Sequence, residues 1–209
     1  MRHPTPFAAV HAHPVHPRPV VLGHWVSAAL LVFVFSFGLA REWIDDKTAR
    51  TLLLDSHRAI GLLIGSLALL RLAVRSRWAM ARTWPPLPAW QRWMSALLQI
   101  SMYGLLLTLP VLGWWLSNAR GAAVSLPLIG PLPKLAALDL DLADTLQSWH
   151  TWSAWTLLAL VALHGAAAVW HHHMRRDGVL AAMWPGLRPK TPAASNTPAF
   201  PPTELCVKD

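Results

Sequence analysis

Four histidines stand in or at the edges of long apolar runs: His24, His57, His150 and His164. Imidazole can ligate a metal, relay a proton or simply hydrogen-bond. An ionisable side chain inside a membrane segment is costly, and its default reading is a functional site. His150 and His164 are fourteen residues apart, about 21 Å along an α-helix and on nearly the same face. One helix therefore presents two imidazoles in line, one near each membrane surface. His24 and His57 supply one more each from two other segments. That arrangement suits two metal centres stacked across a bilayer.

The segments that must carry them are legible in the composition. The chain has 209 residues, of which 13% are charged, well below the usual share for a soluble domain. Val20–Ala40 is twenty-one residues without a charge, and Met94–Ser117 is uncharged throughout. Thr151–Trp170 is a third such run, and Ala59–Val74 is a fourth, interrupted only by Arg71. A membrane helix needs about 20 mostly apolar residues. Three runs meet that length, and the second does so once extended to His57 with Arg71 buried or snorkelling. The expectation is an all-α integral membrane four-helix bundle, residues 20–184, between tails at 1–19 and 185–209. The first run is longer than the apolar core of a secretory signal and shows no small-x-small cleavage site. We read it as a retained span.

The formal charge of +8 is a topology signal and a contact for anionic lipid, with no nucleic-acid surface implied. With both termini cytoplasmic, ten basic residues lie inside: Arg2, Arg18, Arg75, Arg77, Arg82, Arg92, Arg175, Arg176, Arg188 and Lys190. Six lie outside: Arg41, Lys47, Arg50, Arg58, Arg120 and Lys134. Lysine and arginine near span ends set orientation, so the bias places both ends of the chain in the cytoplasm of a bacterial inner membrane. Residues 41–56 form the first outer loop, with Asp55 or Ser56 as N-cap of the second span. The long outer connection runs from Asn118 to Gln147, where Asp139, Asp141 and Asp144 precede or begin the last helix. Trp84-Pro85-Pro86-Leu87-Pro88 makes an extended inner connection. Many of the thirteen tryptophans fall at span ends, as an interfacial aromatic belt requires.

Height within this topology then pairs the histidines. His57 and His150 both open spans that start outside. His24 is early in span one and His164 late in span four, so both lie near the inner surface. Each pair comes from two helices, which can clamp a flat cofactor in the bundle core. Two imidazoles on one iron leave no open position, so such a haem transfers electrons without binding oxygen at the metal. Zinc or copper fits less well, because each pair offers two ligands with no acid or cysteine nearby. Cys206 is the only cysteine and lies in the tail, which excludes an internal disulfide, a Cys-ligated cluster and a c-type haem motif. Arg71, fourteen residues after His57, shares its face and sits at inner-site height, where a haem propionate would pair with it. Arg58 is a candidate for an outer propionate. His171 and His172, with His173, are candidates for a quinone or proton site. His3, His11, His13 and His16 lie in the Pro/His-rich N-terminal tail, and the tail from Pro185 is Pro-, Ala- and Thr-rich; both read as disordered.

These residues, taken in order, resemble the bacterial cytochrome b561 family of dihaem membrane proteins. The matching features are Gly23-His24-Trp25, His57 with Gly61 and Arg71, Tyr103, Leu109-Pro110-Val111-Leu112-Gly113 and Asn118-Ala119-Arg120-Gly121. They continue with Leu146-Gln147-Ser148-Trp149-His150, Leu163-His164-Gly165, His171-His172, Asp177 and Met183-Trp184-Pro185. The resemblance covers about residues 20–186. It implies that the family's four axial histidines fall on His24, His57, His150 and His164, that two haem b groups are bound, and that electrons exchange with a ubiquinone/ubiquinol-type quinone and a second redox partner. Two other roles are open to such a chain: the cytochrome b anchor subunit of a hydrogenase or dehydrogenase complex, and, on the His-rich tail alone, a metal-ion transporter.

Overall fold

A computed structural model of the protein describes residues 18–78, 88–126, 130–175 and 179–184. The histidines of the N-terminal tail, the Trp84–Leu87 stretch, Asp177 and the Pro-rich segment from Pro185 lie outside these residues. Four long helices form, and each is long and apolar enough to cross a membrane. They are α1 (Arg18–Ala40), α2 (Lys47–Trp78), α3 (Ala89–Ala119) and α4 (Leu140–Trp170). A π-helical turn, His171–Arg175, continues α4, and a short α5 spans Val179–Met183. Arg18 and Pro19, assigned to the tail on sequence, belong to α1; proline is tolerated in a first turn, where backbone N–H groups have no helical partner.

Two helices begin well before their apolar runs. Asp46, not Asp55 or Ser56, caps α2: its Oδ1 accepts the Ala49 N–H at 2.7 Å. Asp55 instead pairs with Arg58 one turn on, at 3.0 Å. The expected loop 41–56 therefore shrinks to the residues between Ala40 and Lys47. Likewise α4 starts at Leu140, where Asp139 accepts the Leu142 N–H at 3.0 Å. His57 and His150 thus do not open their helices. Each stands ten residues in, from Lys47 and from Leu140, or about 15 Å along the axis. Hydropathy marks where a helix enters lipid, whereas caps mark where its hydrogen bonding begins.

The far end of α3 also runs past its expected limit. Asn118 is helical and 4% exposed. Its side-chain amide donates to the Ala122 carbonyl at 3.0 Å, and its Oδ1 accepts the Leu135 N–H at 2.8 Å. The helix closes with the Gly121 N–H on the Asn118 carbonyl and the Ala122 N–H on the Ser117 carbonyl, at 2.8 and 2.9 Å. This is the Schellman pattern, and Gly121 takes the left-handed φ of 79° that it needs. A two-residue antiparallel ladder, β1 (Ser125–Leu126) with β2 (Gly130–Pro131), then pairs Ser125 with Pro131 and Leu126 with Gly130. Gly121→Ala should cost about 1–2 kcal/mol, the penalty of a Cβ in the left-handed region. Thermal unfolding in detergent checks it; an unchanged midpoint would mean that the turn relaxes.

Close helix packing follows chain order, α1 on α2, α2 on α3 and α3 on α4. Neighbours run antiparallel: Gly23 near the start of α1 faces Arg71 late in α2, and Gly38 near its end faces His57. The bundle therefore has a loop end, holding the Ala40–Lys47 turn and the α3–α4 connection, and a terminus end, where α1 begins and α4 finishes. The tightest packing is at the loop end, where Leu112, Leu116 and Ala119 of α3 meet Ala143 and Leu146 of α4. Elsewhere large apolar side chains such as Val32, Phe33, Leu70 and Trp152 point outward and exposed, which suits a lipid environment. Pro110, inside α3, lies against Gly65 of α2, where a Cβ would approach its ring to 3.0 Å. The interior between the helices also buries Val34, Ile64, Ala68 and Leu157.

Candidate functional site

The fold brings the four sequence-predicted histidines together as two pairs. His57 of α2 faces His150 of α4 at the loop end, with ring centroids 6.1 Å apart and planes at 63°. His24 of α1 faces His164 of α4 at the terminus end, with centroids 6.3 Å apart and planes at 43°. All four side chains are half-buried. Each pair draws on two helices that are not sequence neighbours, so neither could form before the bundle assembles.

These separations have a chemical meaning. Two imidazoles that bind one metal ion from opposite sides each place a nitrogen about 2.0 Å from it, and the ring centre lies about 1.1 Å further out, giving roughly 6.2 Å between centres. Both pairs match that spacing. Stacked or edge-to-face packing of rings tolerates a much wider range, about 4.5–7 Å. At the loop end the pair lines a cavity of about 440 Å³ whose wall is mostly apolar and is built from α1, α2, α3 and α4. Trp114 lines it too, and its indole N–H is buried with no hydrogen-bond partner among the described residues. An unmet buried donor facing a cavity is costly unless a bound group accepts from it. An apolar slot with opposed imidazoles and one waiting donor fits a flat metal-centred macrocycle. Among the described residues no cluster of three or more His, Cys, Asp or Glu is found.

Backbone clearance makes the loop-end pair possible. A Cβ on Gly38 would sit 3.2 Å from the His57 ring, and one on Gly113 would sit 3.3 Å from the His150 ring. His57 Nδ1 lies 2.8 Å from the Val34 carbonyl of α1. A carbonyl can only accept, so that nitrogen carries the proton and Nε2 keeps its lone pair for a ligand.

The two predicted arginines lie at opposite ends of α2's membrane run, Arg58 beside His57 and Arg71 fourteen residues after that histidine. The Arg71 stem packs against Gly23, the residue before His24, and its guanidinium lies 6.0 Å from the centre of the Tyr103 ring. Arg58 lines the loop-end cavity; its Nε donates to Ser117 Oγ at 3.1 Å and it pairs with Asp55. Arg41 and Arg120 line the same cavity. Sequence alone does not single them out as site residues, because charge does not tell a rim residue from a topology signal. Gly38 is a further member that sequence reasoning misses, although it follows His24 by the same fourteen residues that separate His57 from Arg71.

His171 and His172 lie in the π-helical turn. Their ring contacts run along the chain, His171 to Trp170 at 5.2 Å and His172 to His173 at 5.0 Å. Arg175 of that turn bonds Gln91 at the start of α3 at 2.5 Å. Trp25, next to His24, donates its indole N–H to the Met183 carbonyl at 2.8 Å and packs edge-on against Trp184 at 5.0 Å. The end of α5 is thereby pinned beside the terminus-end pair.

Known proteins resemble this chain over most of its length. The family model described as prokaryotic cytochrome b561 matches residues 15–186. Cytochrome b561 homolog 1 of Escherichia coli (strain K12) is 27% identical over 169 residues, covering 78% of this chain and 92% of that protein. Cytochrome b561 homolog 2 of the same organism is 28% identical over 167 residues, covering 77% and 86%. The probable superoxide oxidase CybB of Yersinia pestis is 25% identical over 169 residues, covering 79% and 93%. With two facing imidazole pairs in a four-helix membrane bundle and a family match over most of its length, the chain belongs to the prokaryotic cytochrome b561 family, haem b-binding membrane proteins of electron transfer.

Proposed function

We propose that the protein is a dihaem cytochrome b that passes electrons between the membrane quinone pool and a second redox partner. His57 and His150 would hold one haem b, and His24 and His164 the other. The observation that carries this reading is the spacing of the pairs, 6.1 and 6.3 Å between ring centres, which equals that of two imidazoles bridged by one metal. When bound, each haem would supply reversible one-electron chemistry.

The chain's own residues do the rest. The histidines hold the two groups in line, about 21 Å apart along α4. Arg71 neutralises a propionate at the terminus end, and Arg58, braced by Ser117 and Asp55, does so at the loop end. The mostly apolar wall around His57 and His150 excludes water from the path. Ten basic residues on the proposed inner side against six on the outer favour both termini in the cytoplasm of a bacterial inner membrane, with the loop end outside. His171 and His172 then stand at the cytoplasmic surface, where imidazoles can exchange protons with a quinone.

Superoxide is the second partner that one observation favours. Arg41 and Arg120 line the loop-end cavity with a single acid, Glu42, among its lining residues, while Arg58 there is engaged by Asp55. The remaining positive excess attracts a small anion, and one relative is named as a probable superoxide oxidase.

The test is spectroscopic, followed by kinetics. The purified protein should show a low-spin b-type reduced-minus-oxidised spectrum with two haems per chain, and a short-chain ubiquinol should reduce it. A protein without a Soret band, or with a single haem per chain, would overturn the reading.

A further inference from the structure

We propose that Gly38 is a positioning residue for His57: its missing side chain uncovers the Val34 carbonyl, so that His57 can rest on the α1 backbone and donate to it. This rests on the reading of His57 and His150 as the ligands of one haem.

In an α-helix the Cα–Cβ bond tilts toward the N-terminus, so the side chain at one position covers the carbonyl one turn earlier. Val34 and Gly38 stand in that relation on α1. Any side chain at 38 would sit over the carbonyl that His57 uses. A Cβ there would lie 3.2 Å from both Cε1 and Nδ1 of His57, against the same edge that makes the 2.8 Å bond. A ring pushed by that Cβ must shift a few tenths of an ångström off the Val34 carbonyl, toward the opposite ring 6.1 Å away, which itself rests on Gly113, where a Cβ would come within 3.3 Å. Two helices thus press the imidazole pair from both sides through glycine backbone. The carbonyl bond fixes the tautomer and rotation of His57 and makes its Nε2 a stronger donor to a metal. Not every glycine in the bundle has this role. A Cβ added at Gly104 or Gly165 would meet nothing within 4 Å, so alanine fits there and should add helix propensity.

The experiment compares Gly38→Ala, Gly104→Ala and Gly165→Ala in the full-length, haem-loaded protein, reading haem per chain and the low-spin electron paramagnetic resonance signals of the two centres. Loss of a partner to a ligating histidine weakens metal retention about 10–100-fold. Gly38→Ala should therefore lose or shift the signal of the His57–His150 centre on dilution or mild detergent challenge. The His24–His164 signal should stay, reporting that the bundle is intact, and the two control variants should match wild type. A Gly38→Ala protein with both signals unchanged overturns the proposal. Should Gly38→Ala fail to assemble, the wild-type protein decides: with 15N-labelled histidine, His57 Nδ1 must carry a slowly exchanging proton, and a deprotonated or freely exchanging nitrogen overturns the idea. His57→Ala separates the two levels of inference. If that variant keeps both haems, the ligand reading itself fails; if it loses one while Gly38→Ala behaves as wild type, only the role of Gly38 is lost.

Discussion

Replacing His57 with alanine should remove one haem and spare the other. An iron with two imidazoles loses half of its protein ligands in this variant, a larger loss than the about 10–100-fold typical of a partner behind a ligand. His150→Ala should do the same, because both rings face the same space at 6.1 Å. The second pair is insulated by distance. His164 lies fourteen residues beyond His150 on α4, about 21 Å away, and sites separated by more than roughly 10 Å usually respond independently. Haem per chain should fall from two to about one, while His24→Ala and His164→Ala remove the complementary signal. Pyridine haemochrome quantitation with a helical circular-dichroism signal as folding control measures this. Retention of both haems, or loss of both from a folded protein, would break the assigned pairing.

Arg71→Met should lower the reduction potential of the haem proposed for His24 and His164 and leave the other proposed centre little changed. Reduction adds one negative charge to the site, and a nearby guanidinium stabilises it. For a cation about 8 Å away in an effective dielectric of about 20, the interaction is roughly 2 kcal/mol. With about 59 mV for each tenfold change in a one-electron couple, that is a fall of about 90 mV. If Arg71 also pairs with a propionate, its removal exposes a carboxylate and shifts the potential in the same direction. Methionine keeps much of the apolar stem that packs on Gly23, so packing loss is small. Arg71 packs on Gly23, the residue before His24, so redox titration should show one of two transitions moving. A rise in potential, or an equal shift in both transitions, would place Arg71 elsewhere in the circuit.

Much of this architecture is a local property of the chain. Apolar run length alone requires four membrane-length helices, because backbone polar groups in lipid must be satisfied within each segment. Helical periodicity alone places His150 with His164, and His57 with Arg71, on common faces. An alternating direction of spans then pairs the histidines by height. No contact between distant residues is needed for any of this. Helix boundaries are less legible. His57 and His150 stand where the apolar runs begin and so look like helix openings, yet Asp46 and Asp139 cap those helices about a further three turns upstream. Capping depends on one side chain reaching one backbone N–H, a geometry that hydropathy does not record.

What only assembly decided is how close the helices come and what fills the space between them. Gly38 and Gly113 look like ordinary helix-weakening residues in a linear reading. Their value appears when α1 and α3 present bare backbone to imidazoles from α2 and α4, 3.2 and 3.3 Å from where a Cβ would stand. The choice of the Val34 carbonyl as partner for His57, and the convergence of Arg41, Arg58 and Arg120 on one cavity, depend on the same helix spacing. Residue type and periodicity determined which groups could meet at each height. Interhelical distance, set by the smallest side chains at the crossing, decided which atoms do.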